Sequence, residues 1–334
     1  MPWANFLIMT AANPAQNPVG MLSAIIKARS ESRPTRHSLK RSIHVLIFSL
    51  SIVLLFQAAK IGKSIVHLNN KIHIFAALNE MDMKIVSYNV NGIRSAISKG
   101  LLQWIEQYQP DVLCFQELKA TPDQIPLMDF EMLGYHHFWF PAKKKGYSGV
   151  GMICRQQPDN VVYGMNNPLY DDEGRFLRAD FGDLSLVCVY HPSGTTGDER
   201  QEFKMQWLSF FRDYVNELRK ERPNLVLSGD YNICHEAIDI NNPKAHVTSS
   251  GFLPEEREWF TDFLSDGYID SFRHLVKEAN RYSWWSYRAN AREKNLGWRI
   301  DYHIVTENLA NQIKSVDILP DVKYSDHCPI VLEL

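Results

Sequence analysis

From residue 83 onward the chain alternates short apolar runs with amphipathic stretches, and most of the apolar runs stop at a polar side chain. Lys84–Val90, Asp111–Phe115, Gly149–Cys154, Asn224–Leu227, Trp298–Val305, Ser315–Leu319 and Pro329–Leu334 have the length and composition of buried strands. Phe176–Tyr190 reads as a hairpin turning at Gly182-Asp183. Ile97, Leu101, Trp104 and Ile105 recur at helical spacing, as do Phe203, Trp207, Phe210, Phe211, Val215 and Leu218. Another helix opens at Pro254, where proline is tolerated in the first turn, and carries Trp259, Phe260 and Phe263. Strands outnumber helices, and many follow one another without a crossover helix. A parallel sheet needs a crossover for each added strand, so the pattern points to mixed sheets in layers.

Polar residues collect where these runs end. Asn89 and Asn91 close the first run, Glu117 the second, Tyr190 the hairpin, and Asp230 with Asn232 the run at Leu225–Leu227. Asp301 lies inside WRIDYHIV, and the Asp326-His327 pair precedes the last run. Strand ends at one sheet edge are where a rigid scaffold can converge side chains from distant positions. Each residue also has a purely structural explanation. Asn91-Gly92 and Gly229-Asp230 are turn dipeptides, and Glu117 could be a surface acid. Asp301 resists such an explanation, because a carboxylate between Ile300 and Tyr302 is costly to bury without a partner. A histidine would serve. Adjacent strand residues point to opposite faces, and zinc-binding helices space their ligands three or four apart, so Asp326-His327 belongs in a turn.

Asn89, Glu117 and Asp326 offer hard oxygen donors without cysteine, a set that suits Mg2+ or Mn2+ over zinc. Asp301 would orient the His327 imidazole, Asp230 and Asn232 would hold a water, and Tyr190 would offer a phenol to a developing oxyanion. Such an inventory fits metal-assisted hydrolysis of a phosphate ester.

Composition adds bounds. The net charge of −2 favours no particular partner, but it is unevenly spread: residues 1–82 hold nine Lys/Arg and three Asp/Glu, and the remainder carries −8. A nucleic-acid enzyme can be acidic overall when carboxylates gather around a metal and bases line one face. The five cysteines form no CxxC and lie in or beside apolar runs, which fits a reducing, cytoplasmic compartment. Residues 1–82 form an N-terminal extension, of which residues 1–42 show no periodicity and carry turn signals such as AANPAQNP. Ile43–Ala59 is 17 residues without formal charge, between Arg41 and Lys60. That is the short limit of a membrane span. We read the extension as the product of a start codon placed upstream of Met81 or Met83; a membrane anchor or an accessory helix are the alternatives.

Nine motifs then occur in order: YNVNG (88–92), FQELK (115–119), GYSGVG (146–151), VYHPSG (189–194), SGDYN (228–232), NNPK (241–244), GFLPEER (251–257), NLGWRIDYH (295–303) and SDHCP (325–329). Together they resemble the exonuclease III-type abasic-site endonucleases of the endonuclease/exonuclease/phosphatase, or deoxyribonuclease-I-like, superfamily. The resemblance covers residue 83 to the C-terminus. It implies an α/β fold, a four-layered sandwich of two packed mixed β-sheets flanked by helices, with residues 83–334 as the catalytic domain. It implies Glu117 and Asn89 as main ligands of Mg2+, which Mn2+ could replace, with Asp326, Asp230, Asn232 and His327 on the ion or its water shell. It makes Tyr190, Asp230, Asn232, Asp301 and His327 the catalytic set. Asn91, Lys119, Tyr147 and Asn242 become DNA contacts, and Trp284, Trp285 and Trp298 a pocket for a flipped-out abasic sugar, which extrudes cheaply because little stacking is lost. Ser193 stands where relatives carry Asn or Gln, and Arg288 where some carry an apolar residue.

The expected activity is cleavage 5′ to abasic sites in double-stranded DNA, with 3′→5′ exonuclease and 3′-phosphatase action on 3′-blocked ends, by a monomer needing no protein partner. The competing expectations are a membrane-associated phosphatase of the same superfamily acting on inositol phosphates or sphingolipids, and a non-catalytic DNA-binding relative.

Overall fold

A computed structural model describes residues 83–334; the expectations for residues 1–82, including the apolar stretch Ile43–Ala59, fall outside the described residues. The strands in chain order are β1 (Lys84–Asn89), β2 (Val112–Gln116), β3 (His136–Phe140), β4 (Val150–Cys154), β5 (Asn160–Tyr163), β6 (Phe176–Phe181) and β7 (Leu184–Tyr190). Then come β8 (Asn224–Asp230), β9 (Tyr268–Asp270), β10 (Trp284–Trp285), β11 (Gly297–Trp298), β12 (Asp301–Thr306), β13 (Ser315–Ile318) and β14 (Ile330–Glu333). They make two six-stranded sheets, β13-β14-β1-β2-β4-β3 and β5-β6-β7-β8-β12-β9, and a two-stranded ribbon of β10 and β11.

Strand periodicity decides which residues meet between the sheets. In β1 and β2, Ile85, Val112 and Cys114 face inward. They meet Leu184, Leu186, Cys188 and Val226 of the second sheet. The intervening Val86, Tyr88, Leu113 and Phe115 point outward, under the helices Ile93–Ser98, Leu101–Tyr108 and Leu127–Met132. On the other side, Val187, Val189, Leu225 and Leu227 are covered by Trp207, Leu208, Phe211, Val215 and Leu218 of helix Asp198–Glu221 and by Trp259, Phe260 and Phe263 of helix Pro254–Ser265. Both faces of the central strands are therefore buried, which explains their nearly unbroken apolar sequences. The result is helix, sheet, sheet, helix: the four-layered mixed sandwich expected.

Two local readings change. The helical spacing from Ile97 to Ile105 belongs to two helices, because Gly100 interrupts them with φ of 111°. WRIDYHIV is not one strand. Trp298 pairs with Trp284 in the ribbon, whereas Asp301 pairs with Asp230 in the second sheet. The chain changes partners at Arg299-Ile300, where Ser283 Oγ accepts the amides of both Ile300 and Asp301 at 3.1 Å.

Topology collects the polar ends. β1 and β2 are parallel, as are β7 and β8, so each pair finishes at a common end. β14 runs antiparallel to β1, and β12 antiparallel to β8, so both start there. Asn89, Glu117, Tyr190 and Asp230 arrive at C-terminal strand ends; Asp301 and His327 arrive at or before N-terminal ones.

Candidate active site

At this shared edge Glu117, Asp230 and His327 each place a ligand atom within 4.8 Å of the others. Asn89, fully buried at the end of β1, donates through Nδ2 to Glu117 Oε1 at 2.9 Å and Asp230 Oδ2 at 2.8 Å, while its Oδ1 accepts the Asn91 amide at 3.0 Å. His327 Nδ1 lies 2.9 Å from Asp301 Oδ2, and its Nε2 lies 3.9 Å from Asp230 Oδ2. Asp326 stands outside the three-residue group. Its Oδ1 accepts from Asn91 Nδ2 at 2.9 Å and its Oδ2 from Trp284 Nε1 at 3.1 Å. Asn232 ties the next turn: its backbone N–H and side-chain Nδ2 donate to Asp230 at 2.8 and 3.4 Å, and Nδ2 also reaches the His191 carbonyl at 2.9 Å.

The turns that present these groups use costly backbone. Asn91, Glu117, Lys119, Ser148, Asn232 and Asn242 all have positive φ, between 44° and 54°. Non-glycine residues in that region persist only where the surroundings over-determine them, and they cluster at working sites.

The electrostatics separate the carboxylates. Burial and the neighbouring Asp301 charge push Asp230 up to about 7, against the opposing pull of His327. For Glu117, burial is outweighed by the Lys119 ammonium at 2.7 Å and the Asn89 hydrogen bond, which hold the carboxyl below its usual range. Asp326 is held down likewise, by His327 and its hydrogen bonds, against burial. Burial would depress His327, but the Asp301 charge and hydrogen bond, with Asp230 and Asp326, raise it to about 10. Tyr190 is driven well up by burial and by Glu117.

Beside the acids, Trp284 and Trp298 meet edge to face at 6.0 Å, with the His327 ring 6.5 Å from Trp284. Phe252, Ile240 and Ile300 back them. Trp285 does not join this wall. It follows Trp284 on β10, so it points away, and it is buried with Phe272, Tyr282, Cys328 and Ile330. Asn242 lies in the turn after Asn241, whose amide bonds the Gly297 carbonyl at 3.0 Å, next to Trp298. Tyr147 is farther along the edge, its hydroxyl held by Arg200 at 2.8 Å and Arg175 at 3.1 Å. Asn91 bridges Lys119 and Asp326. Ser193 turns its hydroxyl to Thr195 at 3.0 Å.

A sequence profile of the Endonuclease/Exonuclease/phosphatase family matches residues 86–327. The chain belongs to that family. The exodeoxyribonuclease of Bacillus subtilis (strain 168) is 42% identical over 252 residues, 75% of this chain and 98% of that protein. The DNA repair nuclease APEX1 of Danio rerio is 42% identical over 256 residues, 76% of this chain and 82% of that one. Among solved structures, the 3′-5′ exonuclease NExo from Neisseria meningitidis matches with a TM-score of 0.71 and 29% identity, over 75% of this chain and 99% of that one. An AP endonuclease from Archaeoglobus fulgidus matches with a TM-score of 0.69 and 30% identity, over 75% and 98%.

In this endonuclease/exonuclease/phosphatase member the donor set fits a divalent cation. The Glu117 and Asp230 carboxylates converge as hard oxygen donors, with the protonated His327 ring beside them. Two supporting groups escaped the sequence reading. Arg175, wholly buried, stacks 4.5 Å from the Tyr190 ring centre and bonds the Tyr190 carbonyl at 2.9 Å. Lys204, also fully buried, donates to the Asn232 carbonyl at 2.8 Å and to Glu256 at 2.5 Å. Lys204 falls on the stripe of Leu208, Phe211 and Val215, so a charge on an apolar helix face was the available signal.

Proposed function

We propose that this chain is a Mg2+-dependent DNA-repair phosphodiesterase, which Mn2+ also supports. It cuts 5′ to abasic sites in duplex DNA, leaving a 3′-hydroxyl, and acts as a 3′→5′ exonuclease and 3′-phosphatase. One juxtaposition carries the proposal: the Glu117–Asp230–His327 cluster lies beside the Trp284–Trp298 wall at a single sheet edge. The names of the relatives, an exodeoxyribonuclease and a DNA repair nuclease, support it.

Glu117 and Asn89 are the proposed main ligands, Asn89 once its side-chain amide turns Oδ1 from the Asn91 amide to the ion, with Asp326, Asp230 and Asn232 on the ion or its water shell and the His327 N–H facing that shell. When bound, the ion supplies positive charge to the phosphate and its leaving group. His327, held by Asp301, donates from Nε2 to a non-bridging phosphate oxygen. Asp230, raised towards neutral pH, is suited to move a proton at its Oδ2. Asn232 and the Tyr190 phenol donate to the oxygen that gains charge. Asn91, Lys119, Tyr147 and Asn242 hold the backbone, and the Trp284–Trp298 wall receives the abasic sugar; Trp285 supports that wall from behind. The chain is proposed to act as a cytoplasmic monomer whose residues 83–334 form the catalytic domain, with 1–82 an extension. Among the described residues no helix is long and apolar enough to cross a membrane.

The test incubates the full chain with a duplex carrying one abasic analogue, with Mg2+ or with a chelator. We expect a nick 5′ to the lesion with Mg2+ only, and a loss of roughly 10²-fold or more in His327→Ala. Equal nicking in chelator, or a fully active His327→Ala, would sink the proposal.

A further inference from the structure

The Asp326-His327 turn is fastened to one surface segment. Arg292 Nη1 donates to the Ser325 carbonyl at 2.8 Å and the His327 carbonyl at 3.3 Å, and its Nη2 to the Pro320 and Val322 carbonyls at 2.9 and 2.8 Å. The carbonyl between them, Asp326, accepts the Trp285 amide at 3.0 Å. Three consecutive carbonyls of the turn therefore end on residues 285–292. The guanidinium also stacks 4.6 Å from the Trp285 ring centre, which fixes its plane.

The same segment carries an exposed loop on the edge where the site opens. Tyr287 is 70% exposed and Arg288 is exposed beside it. Ala289 and Asn290 follow with φ of 58° and 52°. An alanine in that region is held there only by its surroundings. The loop returns through Ala291 directly into Arg292.

We propose that Arg292 is a positioning residue that couples this loop to the Asp326-His327 turn, so that duplex DNA seated against Tyr287 and Arg288 sets the placement of His327. The coupling rests on the proposed function, because it needs DNA on this face. It depends on the forked guanidinium rather than on charge: a lysine ammonium cannot span carbonyls on both sides of the turn. Arg292 also lines a cavity of about 260 Å³ with Arg281 and Lys323. Water can enter there to serve the freed carbonyls, so a truncated variant should fold.

The experiment uses the full chain, Mg2+ and enzyme in excess over an abasic duplex, so that single-turnover rates do not depend on the active fraction. Arg292→Gln should slow the rate about 30-fold while changing DNA affinity less than about threefold, the size expected of a sub-ångström displacement. Arg292→Lys should stay near the glutamine variant. Arg281→Gln, a neighbour in the cavity paired with Asp317 on the surface, should match wild type. Arg288→Ala should slow the wild type and add nothing in the Arg292→Gln background. Amide exchange across residues 320–328 should quicken in Arg292→Gln without DNA. Rates within twofold of wild type, additive effects of the two changes, full rescue by lysine, or unchanged exchange would each overturn the coupling. Should the wild type make no nick, the proposed function fails, and exchange alone judges the fastening.

Discussion

Asp301 and His327 meet through contacts of 2.9 and 3.2 Å, in a place where neither residue is more than 3% exposed. Burial opposes the imidazolium, and the carboxylates of Asp301, Asp230 and Asp326 overcome it, so the ring stays protonated up to about 10. We expect the metal-free chain to show a protonated His327 ring at pH 8 by NMR. In Asp301→Asn the first of those charges is gone, so the ring should lose its proton at a lower pH. Nicking by that variant should fall by about 10²-fold or more, the usual worth of a positioned proton donor or acceptor, with the fold intact by circular dichroism. An imidazole that titrates alike in both proteins would refute the pairing. The cost of a bare acid between Ile300 and Tyr302 made this contact legible in the sequence. The orientation of Asn89 was not legible: its amide N–H groups, rather than its oxygen, face Glu117 and Asp230.

The ribbon of β10 and β11 shows how one element divides two jobs. Trp284 and Trp285 are neighbours in sequence, and both look like pocket residues there. A strand sends them to opposite faces, Trp284 to the acids and Trp285 into the packed cluster behind Cys328 and Ile330. Trp284→Ala should weaken selectivity for the abasic analogue over intact duplex and leave thermal stability nearly unchanged. Trp285→Ala should cost about 3–5 kcal/mol of unfolding free energy, read by urea titration. A stable Trp285→Ala would contradict the assigned faces. Strand β8 makes a related point at Gly229. A Cβ there would lie 1.8 Å from the Val189 carbonyl oxygen, so the close approach of β7 and β8 just before Asp230 requires glycine. The edge strands β3 and β5 are half-exposed and short, and no apolar run announced them.

At the scale of the molecule, the two sheets are joined by a polar contact as well as by their shared core. His303 of β12 takes Ser228 at 2.7 Å in its own sheet and reaches the Ile330 carbonyl of the opposite sheet at 3.2 Å. A carbonyl can only accept, so Nε2 carries the hydrogen, and in the neutral ring Nδ1 accepts from the Ser228 hydroxyl. Burial lowers its pKa to about 4, partly offset by the Ile330 contact. The unfolded ring titrates near 6.5, so the unfolded chain binds the extra proton first. The contribution is complete above about 6.5 and is lost as pH falls towards 4, about 3 kcal/mol in all. Urea unfolding at pH 7.5 and pH 4.5 should therefore show a smaller acid-induced loss in His303→Asn than in wild type. Equal losses would show that the His303 ring titrates alike in the folded and unfolded chains.

Composition by itself determined that the central strands would be buried on both faces, because their apolar runs are nearly unbroken. The polar residues at the ends of those runs likewise announced an oxygen-rich site for a divalent ion and a phosphate, and the ordered motifs announced the family. Register was decided only by the tertiary structure. Asp301 stands opposite Asp230 because the chain leaves β11 at Arg299-Ile300 and re-enters the second sheet there, a change of partner invisible in the apolar run WRIDYHIV. The same holds for Arg292, Arg175 and Lys204, whose partners are main-chain carbonyls and buried groups far along the chain. A local pattern encodes which face is apolar; it does not encode which distant backbone will arrive at that face, and that depends on how the layers pack.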